Sequence, residues 1–180
     1  MKWFFILYLY HMKLKISVLF FFLISINSFC QKKFDLVSPN VKMLTSFVEK
    51  NEVDTDIILL YLERNYASNS KKYNIEKDAD FNNQECGFTK KFKCNIIFTT
   101  NKCGEASPII QKITFPKTAT KVLKNWIDNI YKVGLTEEMK PFNIWYENNT
   151  EFGPKAKEAG CYYKIKQTPT NSIVEVWCGC

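Results

Sequence analysis

The chain has 180 residues, 46% of them hydrophobic, and a formal net charge of +7 carried almost wholly by lysine. Arg64 is its single arginine, so the planar fork that specific nucleic-acid readers and phosphate clamps rely on is present only once, and neither function is expected. His11 is its single histidine and falls in the leading segment, which leaves the rest of the chain without the commonest general base and metal ligand.

Residues 12 to 30 have the three parts of a secretion signal. Lys13 and Lys15 precede an apolar run from Ile16 to Ile26, and Asn27-Ser28 follows. That run is too short for a transmembrane helix, which needs roughly 17 to 25 residues. Residues 1 to 11 form a separate apolar run, so translation is expected to start at Met12. Cleavage is expected between Cys30 and Gln31, giving a secreted or periplasmic domain over 31–180. Lipid attachment at Cys30 is the competing outcome, and Phe29 departs from the small residue that it requires. Losing Lys2, Lys13 and Lys15 leaves 22 basic residues against 18 acidic ones, a modest excess.

Ser38-Pro39 is a helix start, and Val41, Leu44, Phe47 and Val48 recur at helical spacing, which predicts a helix over 39–50. A second helix is expected to open at Asp54 or Thr55, with Ile58, Leu59, Leu62 and Tyr66 on one face. Residues 67–86 are polar and read as a long loop. From Phe92 the period changes to two. Phe92, Cys94, Ile96 and Phe98 form one strand face, and after a turn Ile109, Gln111, Ile113 and Phe115 form another, together a hairpin. Thr118 or Thr120 opens a helix with Val122, Leu123, Trp126, Ile127 and Ile130 on one stripe and Gly134 just past its end. A strand over 142–147 should carry Phe142, Ile144 and Tyr146 on one side. No internal repeat is visible.

The end of the chain supports a sharper inference. Pairing 161–166 with 173–178 so that opposed numbers sum to 339 sets Cys161 against Cys178, Tyr163 against Val176 and Ile165 against Val174. The other side pairs Tyr162 with Trp177 and Lys164 with Glu175. Apolar meets apolar, aromatic meets aromatic and cation meets anion in one register. A Cys161–Cys178 disulfide is therefore expected. Beyond the leader stand six cysteines, Cys86, Cys94, Cys103, Cys161, Cys178 and Cys180, an even number that reads as a disulfide framework. Cys180 is expected to reach back to Cys86, Cys94 or Cys103.

Each candidate chemistry meets a simpler reading. Cys178-Gly-Cys180 could form a redox pair, but nothing near it lowers a thiol pKa. Asp78, Asp80 and Asn82 match the first ligand spacings of a calcium loop, yet Asn83 and Thr89 replace its glycine and its glutamate. Glu137, Glu138, Glu147 and Glu151 are acidic neighbours with no evident cleft between them. Asn148-Asn149-Thr150 is a glycosylation sequon, relevant only in a eukaryotic host. The spacing of the cysteines fits no zinc module, and no metal or cofactor is expected. The best functional surface is a patch of Tyr162 and Trp177 flanked by Lys164 and Lys166.

The expected fold is α+β: two N-terminal helices and a mostly antiparallel sheet of about five strands, with one helix packed on it and disulfides holding it. The expected function is a non-catalytic secreted or periplasmic binding protein, such as an inhibitor or immunity-type partner. Its partner would be another protein or an envelope component, with no specific nucleic acid and no membrane span. A small carboxylate-based hydrolase or an envelope-associated structural protein are the alternatives. The intact mass of the secreted protein should match residues 31 to 180; a mass retaining the leader, or a lipid increment on Cys30, would overturn the processing expected here.

Overall fold

The computed structural model describes residues 34–51, 56–79, 82–104, 108–135, 142–156 and 158–179. The leader, its cleavage point, Cys30, Asp80, Glu137, Glu138 and Cys180 lie outside the described residues.

Three helices and one eight-stranded antiparallel sheet make up the described fold. Helices α1 (Val41–Asn51) and α2 (Ile57–Asn65) come first, followed by strands β1 (Tyr73–Asp78), β2 (Gln84–Lys91), β3 (Ile97–Asn101) and β4 (Ile109–Pro116). Helix α3 (Thr120–Tyr131) then leads to β5 (Asn143–Trp145), β6 (Glu151–Pro154), β7 (Gly160–Gln167) and β8 (Asn171–Gly179). The strand order is β1-β2-β3-β4-β8-β7-β6-β5. Two successive four-stranded meanders, with α3 crossing between them, therefore join through their last strands at the centre. This two-part plan has no counterpart in the sequence, where no repeat is visible.

The α+β class holds, and the sheet has eight strands rather than the five expected. The three additional strands, β1, β2 and β6, escaped for physical reasons. Residues 67–86 hold β1 and the start of β2. The outer strand β1 is almost wholly exposed, charged and irregular in its pairing with β2, as suits a sheet edge that must not recruit another strand. Strand β6 is four residues long and contains Gly153 and Pro154. The strand expected from Phe92 is interrupted: Lys93–Asn95 form a 3-10 turn with Cys94 and Asn95 left-handed (φ 58° and 59°). Phe92, Ile96 and Phe98 still reach the core, while Cys94 is exposed. In β5 the expected facing is reversed, because Trp145 turns toward Phe152 and leaves Phe142 and Ile144 exposed.

The helices sit close to their expected places. Asn40, not Ser38, caps α1, its Oδ1 accepting from the Met43 N–H. Asp56 caps α2 by accepting from the N–H groups of Ile58 and Leu59. Within α2 the buried residues are Ile58, Leu60, Tyr61 and Leu62, so Tyr61 takes the place expected of Leu59. The α3 stripe is Leu123, Trp126, Ile127 and Ile130, with Val122 outside it.

Trp126 lies at the heart of the core, with its ring edge-on to Tyr61 (5.6 Å) and Phe115 (5.4 Å). Phe98, Ile113 and Val174 are fully buried beside them. Each such side chain removed from water stabilises the fold by about 1.5–3 kcal/mol. Tyrosine hydroxyls also hold the segment that leads into α1. Tyr61 donates to the Val37 carbonyl (2.5 Å), and the Val37 N–H donates to the Tyr66 hydroxyl (3.0 Å).

The last hairpin has the expected register, Cys161↔Cys178, Tyr163↔Val176 and Ile165↔Val174 on one side, Tyr162↔Trp177 and Lys164↔Glu175 on the other. Cys161–Cys178 is a disulfide, and Cys86–Cys103 is a second. Cys94 is a free thiol. Both disulfides fit a secreted or periplasmic setting. No helix among the described residues is long and apolar enough to cross a membrane.

Tyr61→Phe should lower the unfolding free energy by about 0.5–1.5 kcal/mol, since it removes the hydrogen bond to the part-buried Val37 carbonyl. Trp126→Ala should cost more, about 3–5 kcal/mol. Urea denaturation checks both, and an unchanged midpoint for Tyr61→Phe would mean that the segment before α1 is not held through this hydroxyl.

Candidate binding face

Alternation along each strand sends one set of side chains into the core and the other outward. All the helix contacts fall on the core side. Glu63 of α2 pairs with Lys90, Asp128 of α3 accepts from the Trp145 indole (2.9 Å), and Tyr131 packs on Phe152. None of these helix contacts reaches the other side of the sheet, which the segment before β7 meets at Glu158. Ile110, Trp177 and Ile144 stand exposed on that open face, at 50%, 39% and 37% of their surface.

Register arranges the open face in rows that run across the strands. Ile110 of β4 pairs with Trp177 of β8, and Trp177 with Tyr162 of β7. Tyr162 lies over Gly153 of β6, where an added methyl would meet its ring at 2.6 Å. This close approach is why the strand carries glycine there. The Tyr162 and Trp177 rings are 5.5 Å apart, and the Tyr162 hydroxyl donates to the Glu158 carbonyl (2.6 Å), which fixes the ring at both ends. The neighbouring row is charged: Lys112, Glu175, Lys164 and Glu151 follow one another on β4, β8, β7 and β6. Lys164 pairs with Glu151 (2.5 Å) and Lys166 with Glu175 (2.7 Å). The hydrogen bond and charge of Glu151, then the charge of Glu175, raise the Lys164 pKa, so this ammonium stays protonated across the physiological range. Between the two rows runs a groove of about 440 Å³.

All four residues of the expected patch, Tyr162, Lys164, Lys166 and Trp177, are therefore on one face, with the rings in contact and the lysines paired to carboxylates. Ile110, Tyr146, Glu151 and Gly153 were missed. Ile110 was legible, since Ile109, Gln111 and Ile113 alternate around it. Tyr146 was expected on the strand over 142–147 and Glu151 among the acidic neighbours, but neither was joined to the patch; Gly153 belongs to β6, a strand too short to leave a period.

The remaining candidates separate. Asn82 and Asn83, both left-handed (φ 52° and 56°), stand in the turn between β1 and β2, Thr89 is buried in β2, and Asp78 accepts from the Gly104 N–H (2.6 Å). Of the calcium-like spacing, Asp78 thus ends β1 and Asn82 precedes β2, while Asp80 lies outside the described residues. Glu147 is exposed in the turn before β6, where Asn148 accepts from the N–H groups of Thr150 and Glu151. Cys178 is committed to Cys161, which removes it from a pair with Cys180.

On the helix side a cleft of about 340 Å³ opens beside Asp56, Gln111, Tyr163 and the Cys161–Cys178 bridge. Besides capping α2, Asp56 accepts from the Gln111 amide (2.5 Å). Burial raises its pKa against the opposing pull of the backbone N–H groups, Lys102 and Gln111. A buried acid whose folded pKa exceeds its unfolded value favours the protonated form. Its ionisation therefore costs stability as pH rises from the unfolded to the folded pKa, and the cost stays in place above that. Asp56→Asn keeps a good cap and removes the charge. The wild type should gain stability relative to this variant as the solution is acidified from neutrality to below the ordinary aspartate range. Parallel pH dependence of the two melting curves would show that the Asp56 carboxyl does not titrate differently on folding.

No family model matches the chain, and neither the curated proteins nor the solved structures contain a significant match, so the geometry of the open face carries the functional reading.

Proposed function

We propose that this chain is a non-catalytic binding protein that acts outside the cytoplasm, released by the signal over residues 12–30, and that it engages another protein through the open face of its sheet. An inhibitor or immunity-type partner fits this description. One observation carries the reading: Trp177 and Tyr162 stand side by side, held rigidly, at the middle of an uncovered sheet face. Aromatic anchors fixed before contact are what dominate protein interfaces, because they bury large area with little loss of side-chain freedom. Exposed apolar surface of this kind on a soluble chain marks an interaction site. The disulfides support the compartment.

The carboxylate-hydrolase alternative draws on Glu151 and Glu175, which both line the groove. Each has a lysine ammonium against it, whereas a general acid needs surroundings that favour its neutral form. The binding reading is preferred for that reason.

A photoreactive residue in place of Lys164 should cross-link one protein, other than this chain, from the secreted and envelope fractions, and the same residue in place of Val122 on α3 should not. With that protein purified, Trp177→Ala should weaken binding by at least about 2 kcal/mol, roughly thirtyfold. Equal adducts from both positions, or a Trp177→Ala variant that binds as well as the wild type, would overturn the assignment.

A further inference from the structure

We propose that a second copy of this chain is a built-in occupant of the open face, the two sheets packing face to face about a two-fold axis parallel to the strands and lying between β7 and β8. This rests on the reading of the face as a protein-binding surface. Such an axis opposes β8 of one copy to β7 of the other, and β4 to β6.

The charged row is self-complementary under this operation. Its order is Lys112, Glu175, Lys164, Glu151. Rotation sets Lys112 against Glu151 of the second copy and Glu175 against its Lys164, so every cation meets an anion. An axis running along β8 would instead set Lys112 against Lys164 and Glu175 against itself. Like charges so placed repel, which selects the first axis. Within one chain Lys112 makes no ion pair among the described residues, although Lys164 and Lys166 do. Glu151 of the second copy completes the row at that position.

The apolar row pairs under the same operation. In it Ile110, Trp177, Tyr162 and Gly153 follow one another. The same rotation sets Trp177 against Tyr162 of the second copy and brings Ile110 over its Gly153, where the Tyr162 ring already stands, so apolar and aromatic groups meet along the row. Six strands overlap, covering about 600 Å² in projection at ~4.8 Å per strand, close to the ~800 Å² per partner of a standard interface. Two sheets of like twist stack in this manner at roughly 30°. An isologous contact of this kind closes as a dimer and does not propagate.

Sedimentation velocity on the full secreted chain, from micromolar to millimolar concentration, tests the proposal. The wild type should become dimeric as concentration rises. K112E and E151K each place two like-charged contacts in the interface and should weaken dimerisation at least about tenfold. An equimolar mixture of the two should recover it, because both contacts in the mixed dimer again join opposite charges. Trp177→Asp should be monomeric, and circular dichroism confirms that each variant is folded. A wild type that stays monomeric, or a dimer indifferent to K112E and Trp177→Asp, would overturn the proposal. Loss of the dimer with cross-linking to another protein intact would leave the binding reading standing; a dimer sensitive to these variants with no such adduct would leave only the present one.

Discussion

The registers that β8 makes with β4 on one side and β7 on the other are the constraint on which the rest of this molecule depends. Strand β8 is the seam of the two meanders, and a slip by one residue would exchange its faces. Val174 and Val176 would leave the core, and Glu175 and Trp177 would enter it. The Cys161–Cys178 bridge bars that slip on the β7 side. On the β4 side the bar is packing, since Ile113 pairs with Val174 and both are fully buried. Core and open face are therefore set by one register, with Val174 and Trp177 as its two outcomes.

Sidedness follows from the same source. Every helix contact described lies on the core side, because only that side offers a continuous apolar surface for Trp126, Leu123 and Tyr61 to pack on. The open side alternates in another way, along rows across the strands, with large apolar groups in one row and charges in the next. A sheet face exposed only to water would carry polar side chains throughout. This one keeps Ile110, Trp177 and Ile144 in the open.

What was legible in the sequence divides along the same lines. The last hairpin could be read in full, down to its register and its disulfide, because three independent matches agreed on one pairing and because its turn is short. The stripe of α3 was legible for a similar reason, a strong 3.6-residue period. Strands β1 and β6 were not, since β1 is a charged, exposed edge and β6 is four residues with a glycine and a proline, and neither carries an alternation to find; β5 was expected, but with its facing reversed. The strand expected through Cys94 failed in a different way. Its period of two continued across a left-handed turn, which returned Ile96 and Phe98 to the core face by chance of spacing. The binding face was half legible: Tyr162 and Trp177 came from the hairpin, while Gly153, which seats Tyr162, sits on a strand with no signal of its own.

Rigidity joins the fold to its use. Both disulfides staple hairpins at the end away from their turns, Cys86–Cys103 across β2 and β3 and Cys161–Cys178 across β7 and β8. The second bridge lies one residue from Tyr162 and one from Trp177, on the opposite face of the same two strands. Side-chain ordering on association costs about 0.5–1.5 kcal/mol for each group immobilised. Here the backbone under both rings is cross-linked, one ring rests on Gly153, and its hydroxyl is held by the Glu158 carbonyl. Most of that ordering is complete before any partner arrives. The bridge thus does more than stabilise the hairpin: it fixes in advance the relative position of the two aromatic groups around which the open face is built.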